Sequence, residues 1–292
     1  MAHKDSSIIL ITGDLGYGVL DDFARELPNQ YINAGVTEQS MMSMAAGLAS
    51  QGFRPFVYSI ANFPIFRCFE QIRNDISYMD NPVTIVSVGA GLSYGNLGYS
   101  HHAIEDIAAI RSLSNFEIYS PCDSEEVKTS LDLIMSSPKP SYLRLGKGGE
   151  KVISNEVLMN SNVGIGTIDN HGSILFTGSI GSRVLQAKEI LVTKGFSPKV
   201  VSCHILNGDS IRQLLEAAGK FPMMIVEEHS NVGGLGSWII EIASELDFKL
   251  QIRRIDLRNH LISKLGDQAY LLDEAGFTPE NIAARFMELT KN

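Results

Sequence analysis

The sequence has few cysteines and no apolar run of membrane length. Cys68, Cys122 and Cys203 are odd in number and widely spaced, so they predict neither disulfides nor a zinc site and fit a reducing cytoplasm. No stretch of about 18 apolar residues occurs, so we expect no membrane-spanning helix. The N-terminal residues lack the pattern of a secretion signal.

Excess positive charge is also lacking. The net charge of −9 argues against a general nucleic-acid binder, which needs a basic surface. No repeat of 20 to 50 residues and no low-complexity tract is found. The length of 292 residues suits two domains of ordinary size.

Short β-branched runs alternate with helix-like segments, which predicts an α/β fold with two parallel-sheet domains. A polar stretch places the boundary near residues 150 to 170, giving domains 1–155 and 165–292. The predicted strands are 7–13, 54–59, 83–91, 116–121, 141–146, 173–179, 199–206, 223–229 and 249–257. The predicted helices are 38–51, 63–79, 103–113, 123–136, 181–194, 209–219, 237–245 and one beginning near Thr278 and Pro279.

Glu38 is a carboxylate at the start of a helix of small and apolar residues. One interpretation is a helix-start acid favoured by the helix dipole, behind a cap at Thr37 or Asn33. The other is a functional carboxylate in an apolar pocket, with a raised pKa, that exchanges a proton with a ligand nitrogen. The helix pattern alone favours the first interpretation.

Two further sets of residues have both a functional and a structural interpretation. Phe63, Phe66 and Phe69 are spaced by three along one helix side and form either core or a pocket wall. His101 and His102 end a glycine-rich loop after a strand, where ligands bind in α/β sheets, but one of them could simply cap the next helix. No metal-ligand spacing accompanies them.

Glycine-rich segments invite a phosphate-binding interpretation that their patterns do not support. The segment "TGDLGYG" matches neither the dinucleotide nor the P-loop pattern, and "VGGLGS" is better explained as a tight turn before a helix. Lys147 in "RLGKGG" is a candidate phosphate cation or an ordinary surface lysine.

The order of these segments is more specific than any one of them. The run "AGVTEQSMMSMAAGLASQG", "YSIANFPIFRCFEQIR", "GYSHHAIEDIAAIRS", "PCDSEEV" and "YLRLGKGG" resembles the pyrimidine-binding domain of the transketolase family. The later "VVSCHILN" and "MMIVEEHSNVGGLGS" resemble the C-terminal domain of the same enzymes. The resemblance covers nearly the whole chain.

The resemblance implies thiamine diphosphate chemistry. In that family the glutamate matched by Glu38 hydrogen-bonds the cofactor aminopyrimidine and promotes its imino tautomer; desolvation there would favour a protonated carboxyl. Phe63, Phe66 and Phe69 match the aromatics that flank the aminopyrimidine. His101 matches an active-site histidine that would stabilise a substrate oxygen.

The family's diphosphate and Mg²⁺ motif, G-D-G followed by Asn, is not found in this sequence. The resemblance therefore implies a split enzyme, in which a separate N-terminal-half subunit carries the diphosphate domain and holds Mg²⁺. Thiamine diphosphate would be shared between the two chains. The expected assembly is α₂β₂, with a homodimer contact through the pyrimidine domain.

Substrate recognition departs from the family pattern. Leu97 and Gly89 stand where transketolases carry an acidic residue and a histidine. The phosphate-binding arginine aligns with Lys147, or less well with Arg144, and His102 could replace missing polar groups.

The leading hypothesis is a subunit of a transketolase that moves a two-carbon ketol unit between sugars. The alternatives are half of a deoxyxylulose-phosphate synthase, the beta subunit of a 2-oxoacid dehydrogenase, or a non-catalytic regulatory paralogue.

Overall fold

The computed structural model describes residues 1–164, 167–249, 251–257 and 264–291. It contains two β-sheets joined by helices, which confirms the predicted α/β class with two parallel-sheet units. The strands are β1 Ile8–Thr12, β2 Tyr31–Asn33, β3 Arg54–Ile60, β4 Thr84–Val88, β5 Glu117–Tyr119, β6 Ser141–Leu145, β7 Leu158–Met159, β8 Ser173–Thr177, β9 Lys199–Ser202, β10 Ile205–Leu206, β11 Met223–Glu227 and β12 Ile252–Ile255.

The helices largely follow the predicted segments. They are α1 Asp21–Glu26, α2 Glu38–Ser50, α3 Asn62–Phe66, α4 Phe69–Gln71, a π-helix at Ile72–Ser77, α5 Asp106–Arg111, α6 Ser124–Ser136, α7 Gly181–Thr193, α8 Gly208–Ala218, α9 Leu235–Glu245, α10 Gln268–Glu274 and α11 Pro279–Leu289. The caps of α6 and α11 are Asp123 and Thr278, whose side chains accept backbone N–H bonds. In the described residues, no helix is long and apolar enough to cross a bilayer.

The first sheet has seven strands in the order β10-β5-β6-β4-β3-β1-β2. All neighbours pair in parallel except β10, which runs antiparallel to β5. The strands β1 and β4 are buried along their whole length, as expected for a parallel sheet covered on both faces. The carboxyl ends of β3, β4 and β6 therefore meet at one edge.

The second sheet has five parallel strands in the order β12-β11-β8-β9-β7. The single strand predicted over 199–206 is divided between the sheets: β9 pairs with β8, and β10 crosses to pair with β5. The predicted strand 249–257 is observed as β12, with residue 250 outside the described part.

The apolar core also crosses between the sheets. One cluster of buried side chains includes Ile11 and Met41 from the first half of the chain and Leu214, Ile225 and Ile239 from the second half. Two smaller clusters complete the packing. The two halves are thus held together by buried apolar surface as well as by β10.

Candidate functional site

The predicted site residues lie on segments that follow strands of the first sheet. Glu38 begins α2 shortly after β2, the loop 89–102 follows β4, and Lys147 follows β6. The strands β4 and β6 are neighbours and parallel, so the loop and Lys147 start from the same edge. Such carboxyl-end edges are where α/β sheets bind ligands.

Glu38 is buried and paired with a cation. Its side chain is 8% exposed, and its Oε1 atom lies 3.0 Å from Nη1 of Arg67, whose own side chain is 53% exposed. The Thr37 side chain does not cap the helix, because its hydroxyl donates to the Ala34 carbonyl. The sequence predicted apolar surroundings for Glu38, and the structure differs by placing a guanidinium against it.

The three phenylalanines do not share one environment. Helix α3 ends at Phe66, and Phe69 begins α4 after a non-helical Cys68. The Phe63 ring packs at 5.2 Å from the His101 ring and lies 4.5 Å below the Arg67 guanidinium carbon. Phe66 is 48% exposed. Phe63 is therefore the phenylalanine that connects the Glu38 region to the histidine loop.

His101 lies at the end of a short 3-10 turn in the loop after β4. Its Nδ1 atom is 3.0 Å from the Ser100 hydroxyl, and its ring is half-buried between Phe63 and Tyr94, whose centroid lies at 6.5 Å. The loop is anchored below by reciprocal backbone bonds between Gly91 and Ala103, each 2.9 Å. His101 therefore lies in a hydrogen-bonded loop, and its ring packs between two aromatic side chains.

Lys147 completes the row of side chains. Its Nζ atom lies 5.8 Å from the centroid of the Tyr94 ring, within the range of a cation–π contact. The resulting sequence of contacts runs through Glu38, Arg67, Phe63, His101, Tyr94 and Lys147. The structure therefore brings four of the predicted residues into one continuous surface.

Two cavities open along this surface. One of about 370 Å³ is lined by Glu38, Arg67 and the neighbouring α2 residues. The other, about 520 Å³, lies beside Lys147 at the ends of β3, β4 and β6. Both volumes fall within the range of small-molecule pockets, about 300–1,000 Å³.

His102 and Arg144 were predicted to contact substrate, and the structure argues against both. The His102 side chain is fully buried, and its burial lowers the pKa of His102. Arg144 is 1% exposed, and its guanidinium donates to Asp106 at 2.7 Å and to the carbonyls of Ala103 and Glu228. Neither side chain is accessible to a substrate in this packing.

The buried pair of Asp106 and Arg144 is a structural element of the fold. Burial alone would raise the pKa of Asp106, but the Arg144 guanidinium, together with His229 and the Tyr142 hydroxyl, outweighs that and holds it below its usual value. The Tyr142 hydroxyl also donates to Asp106 Oδ2, at 2.6 Å. The arginine bond to the Glu228 carbonyl ties this network to the second half of the chain.

Neither glycine-rich segment offers an open phosphate site. The backbone N–H groups of Leu235 and Gly236, at the start of α9, both donate to the Glu227 carboxylate, at 2.7 and 2.9 Å. In "TGDLGYG", the Asp14 carboxylate accepts bonds from the Tyr17 hydroxyl and the Asn33 amide. The sequence predicts a tight turn before a helix at "VGGLGS", and the bonds to Glu227 agree with that interpretation.

Comparison with known proteins gives the family. The pyrimidine-binding domain model of transketolase matches residues 1–149, and the transketolase C-terminal domain model matches 170–282. The chain belongs to the transketolase family. It is accordingly an enzyme chain of the thiamine-diphosphate-dependent transferase class, as the resemblance implied.

Two curated transketolase relatives match over the whole chain. It is 32% identical over 100% of its length to an apulose-4-phosphate transketolase subunit of Phocaeicola vulgatus, covering 94% of that protein. It is also 32% identical to a protein of Methanocaldococcus jannaschii named "Putative transketolase C-terminal section", covering 100% of this chain and 93% of that one.

A solved transketolase structure shares the fold over nearly the same length. It is a split-gene transketolase, described as an inactive beta4 tetramer, and it superposes with a TM-score of 0.83 at 28% identity. The match covers 99% of this chain and 94% of that chain. Similarity to these transketolases extends over both sheets.

Two side chains of this row, Arg67 and Tyr94, were not selected from the sequence. Arg67 stands four residues after Phe63, a helical spacing that places the two on one face and could have indicated their contact. Tyr94 lies in a glycine-rich loop without periodicity, and only the folded loop shows where its ring lies.

Proposed function

We propose that this chain is one subunit of a split transketolase that transfers a two-carbon ketol unit between sugars. The observation that carries the proposal is the continuous row from Glu38 to Lys147 in a chain of the transketolase family. Similar proteins of nearly the same length, one named as a transketolase subunit and one as a C-terminal section, support the split arrangement. We further propose that residues 1–155 form the pyrimidine-binding domain and 165–292 the C-terminal domain.

The residues present fit one end of thiamine diphosphate. Glu38 is a buried carboxylate in a cavity of about 370 Å³, and its partner Arg67 lies over the Phe63 ring. This arrangement suits a flat, basic heterocycle. No described residue hydrogen-bonds the second carboxylate oxygen of Glu38, which leaves it available to a ligand. The acid of "TGDLGYG", Asp14, already accepts hydrogen bonds from Tyr17 and from Asn33 of β2. A second chain would therefore hold the diphosphate and Mg²⁺.

The assembly we propose is α₂β₂, with the cofactor shared between unlike chains and like chains in contact through the pyrimidine domain. The similar split-gene structure is a tetramer of beta chains described as inactive, which supports the need for a second chain type. The partner would carry a G-D-G motif followed by Asn.

Four residues of the row have a proposed role. When bound, thiamine diphosphate would supply the nucleophilic carbon for the transfer of the two-carbon unit. Glu38 would hydrogen-bond a ring nitrogen of the cofactor and hold a proton there, and Phe63 would pack beside that ring. His101 donates to a substrate oxygen, and Lys147 binds an anionic group of the sugar.

The Glu38–Arg67 contact sets a condition on this role. The guanidinium lies against both Glu38 Oε1 and one face of Phe63. A ring that stacks on that face and bonds that oxygen requires Arg67 to move, which its half-exposed side chain allows. If Arg67 stays in place, the second carboxylate oxygen of Glu38 would be the one that bonds the ring.

The test replaces Glu38 by Gln in the complex reconstituted with the partner chain, thiamine diphosphate and Mg²⁺. We expect kcat for ketol transfer to fall about 10²–10⁴-fold, because Gln keeps the shape but cannot exchange a proton. Glu70→Gln, on the exposed side of the next helical segment, is the matched control and should leave kcat unchanged. Full activity in the Glu38 variant would refute the proposal.

Two other results would assign a different function. Release of CO₂ from pyruvate by the complex would indicate a deoxyxylulose-phosphate synthase or 2-oxoacid dehydrogenase subunit. Absence of thiamine diphosphate binding by titration calorimetry, with and without the partner, would indicate a regulatory paralogue. Strong binding by this chain alone would contradict the shared site.

A further inference from the structure

Tyr94 occupies the space above a glycine at the centre of the site. Gly89 directly follows β4, and its backbone has a φ of +95°, in the left-handed region. A Cβ atom at this position would lie 2.2 Å from Cε2 of the Tyr94 ring, far inside van der Waals contact. The Tyr94 ring is therefore packed directly on the Gly89 backbone, and any side chain at 89 would displace it.

The neighbours of Tyr94 are both site residues. On one side its ring meets the His101 ring at 6.5 Å, nearly edge-on at 77°. On the other side the Lys147 ammonium lies 5.8 Å from the ring centroid. Tyr94 is thus the only described side chain that contacts the ring of His101 and the cation of Lys147 together.

The Tyr94 hydroxyl is free to bind a ligand. No described residue accepts a hydrogen bond from it, although the ring is half-buried. Tyr99, in the same loop, gives the contrast: it is exposed, and its hydroxyl donates to Glu105 at 3.0 Å. Burial raises the pKa of Tyr94, so its hydroxyl is a donor throughout the neutral range.

We propose that Tyr94 is a specificity-determining residue of the sugar site. Its hydroxyl donates a hydrogen bond to a substrate oxygen near His101, and its ring face positions the Lys147 ammonium for an anionic group of the same sugar. The inference rests on the proposed function, because it takes the row between His101 and Lys147 as the place where the sugar binds.

The two parts of Tyr94 make separable contributions. The hydroxyl acts on any sugar, since it bonds an uncharged oxygen. The ring acts on anionic sugars alone, because it works through the cation of Lys147. Phe retains the ring and loses the hydroxyl, whereas Leu loses both.

The experiment compares a phosphorylated sugar with its unphosphorylated counterpart in the reconstituted complex. We expect Tyr94→Phe to raise KM about five- to tenfold for both sugars, with kcat nearly unchanged. Tyr94→Leu should raise KM a further two- to fivefold, roughly, for the phosphorylated sugar alone. In the Lys147→Met background that further effect should vanish.

Tyr99→Phe and Tyr99→Leu are the matched controls, and both should leave KM unchanged for either sugar. Thermal unfolding of each variant checks that the fold is retained. Wild-type KM values in both Tyr94 variants would overturn the proposal. An equal further rise in KM for the two sugars in Tyr94→Leu would also overturn it, because the ring would then not act through Lys147.

Binding of inorganic phosphate to the chain alone separates this inference from the proposed function. Shifts in NMR signals on phosphate titration that depend on Tyr94 and Lys147, together with no ketol transfer by the reconstituted complex, would uphold the subsite and refute the function. Ketol transfer with KM values insensitive to Tyr94 would uphold the function and refute the subsite.

Discussion

At the scale of single residues, two buried carboxylates are each paired with an arginine, but the arginines differ in exposure. Arg144 is 1% exposed beside Asp106, and Arg67 is 53% exposed beside Glu38. Removing a fully buried arginine leaves the buried carboxylate uncompensated, whereas water can replace an exposed arginine beside its carboxylate. The same ion-pair chemistry therefore supports folding in one place and leaves a ligand-accessible carboxylate in the other.

We predict that Arg144→Met lowers the free energy of unfolding by about 3–5 kcal/mol. Arg67→Met, the matched substitution at the exposed pair, should lower it by less than about 1 kcal/mol. Urea denaturation of both variants measures the difference. Equal losses of unfolding free energy in the two variants would show that burial of the arginine does not determine the cost of removing it.

At the scale of elements, helix α9 is capped by a carboxylate from the preceding strand. Glu227 ends β11 and accepts both N–H bonds at the start of α9. Burial raises the pKa of Glu227 to about 7, and the two backbone bonds offset only part of that rise. The folded chain therefore holds a proton here over a range in which the unfolded chain has released it.

This proton uptake predicts a pH dependence of stability. Between pH 4.5, the ordinary value, and about 7, the folded state binds more protons at Glu227 than the unfolded state, so this group's contribution falls as pH rises. The stability of the wild type relative to Glu227→Gln should therefore decrease by about 3 kcal/mol across that window. Urea titrations of both proteins at a series of pH values measure the difference, and a constant difference would contradict it.

At the scale of the whole molecule, the two halves of the chain share buried structure. The strand β10 belongs to the first sheet although it follows β9 of the second. Arg144 binds the Glu228 carbonyl from across the junction. Trp238 in α9 packs under the guanidinium of Arg111 in α5, with the guanidinium carbon 4.5 Å from the ring. We therefore expect the halves to unfold together.

The single tryptophan makes this expectation measurable. Trp238 fluorescence reports the contact between the halves, and far-UV circular dichroism reports total secondary structure. The two signals should give the same midpoint in urea. A fluorescence transition at a lower urea concentration than the loss of helix would show that the halves separate first.

Much of the candidate site could be predicted, because its strongest signals are local. Glu38, Phe63, His101 and Lys147 lie at strand ends or helix starts, which adjacent residues identify. The uninterrupted helix predicted over 63–79 is wrong, since Cys68 has non-helical backbone angles and a π-helix follows α4. As a result Phe63 and Phe69 belong to different helical segments.

The sequence by itself determined the α/β class, most strands and the start of the last helix near Thr278, because each depends on neighbouring residues. Only the tertiary structure decided that Arg144 is buried and Lys147 exposed, three residues apart, and that β10 joins the other sheet. It also placed Tyr94 on Gly89. The physical reason is that burial and contact depend on which distant segments pack over a residue. Local sequence periodicity does not identify those segments.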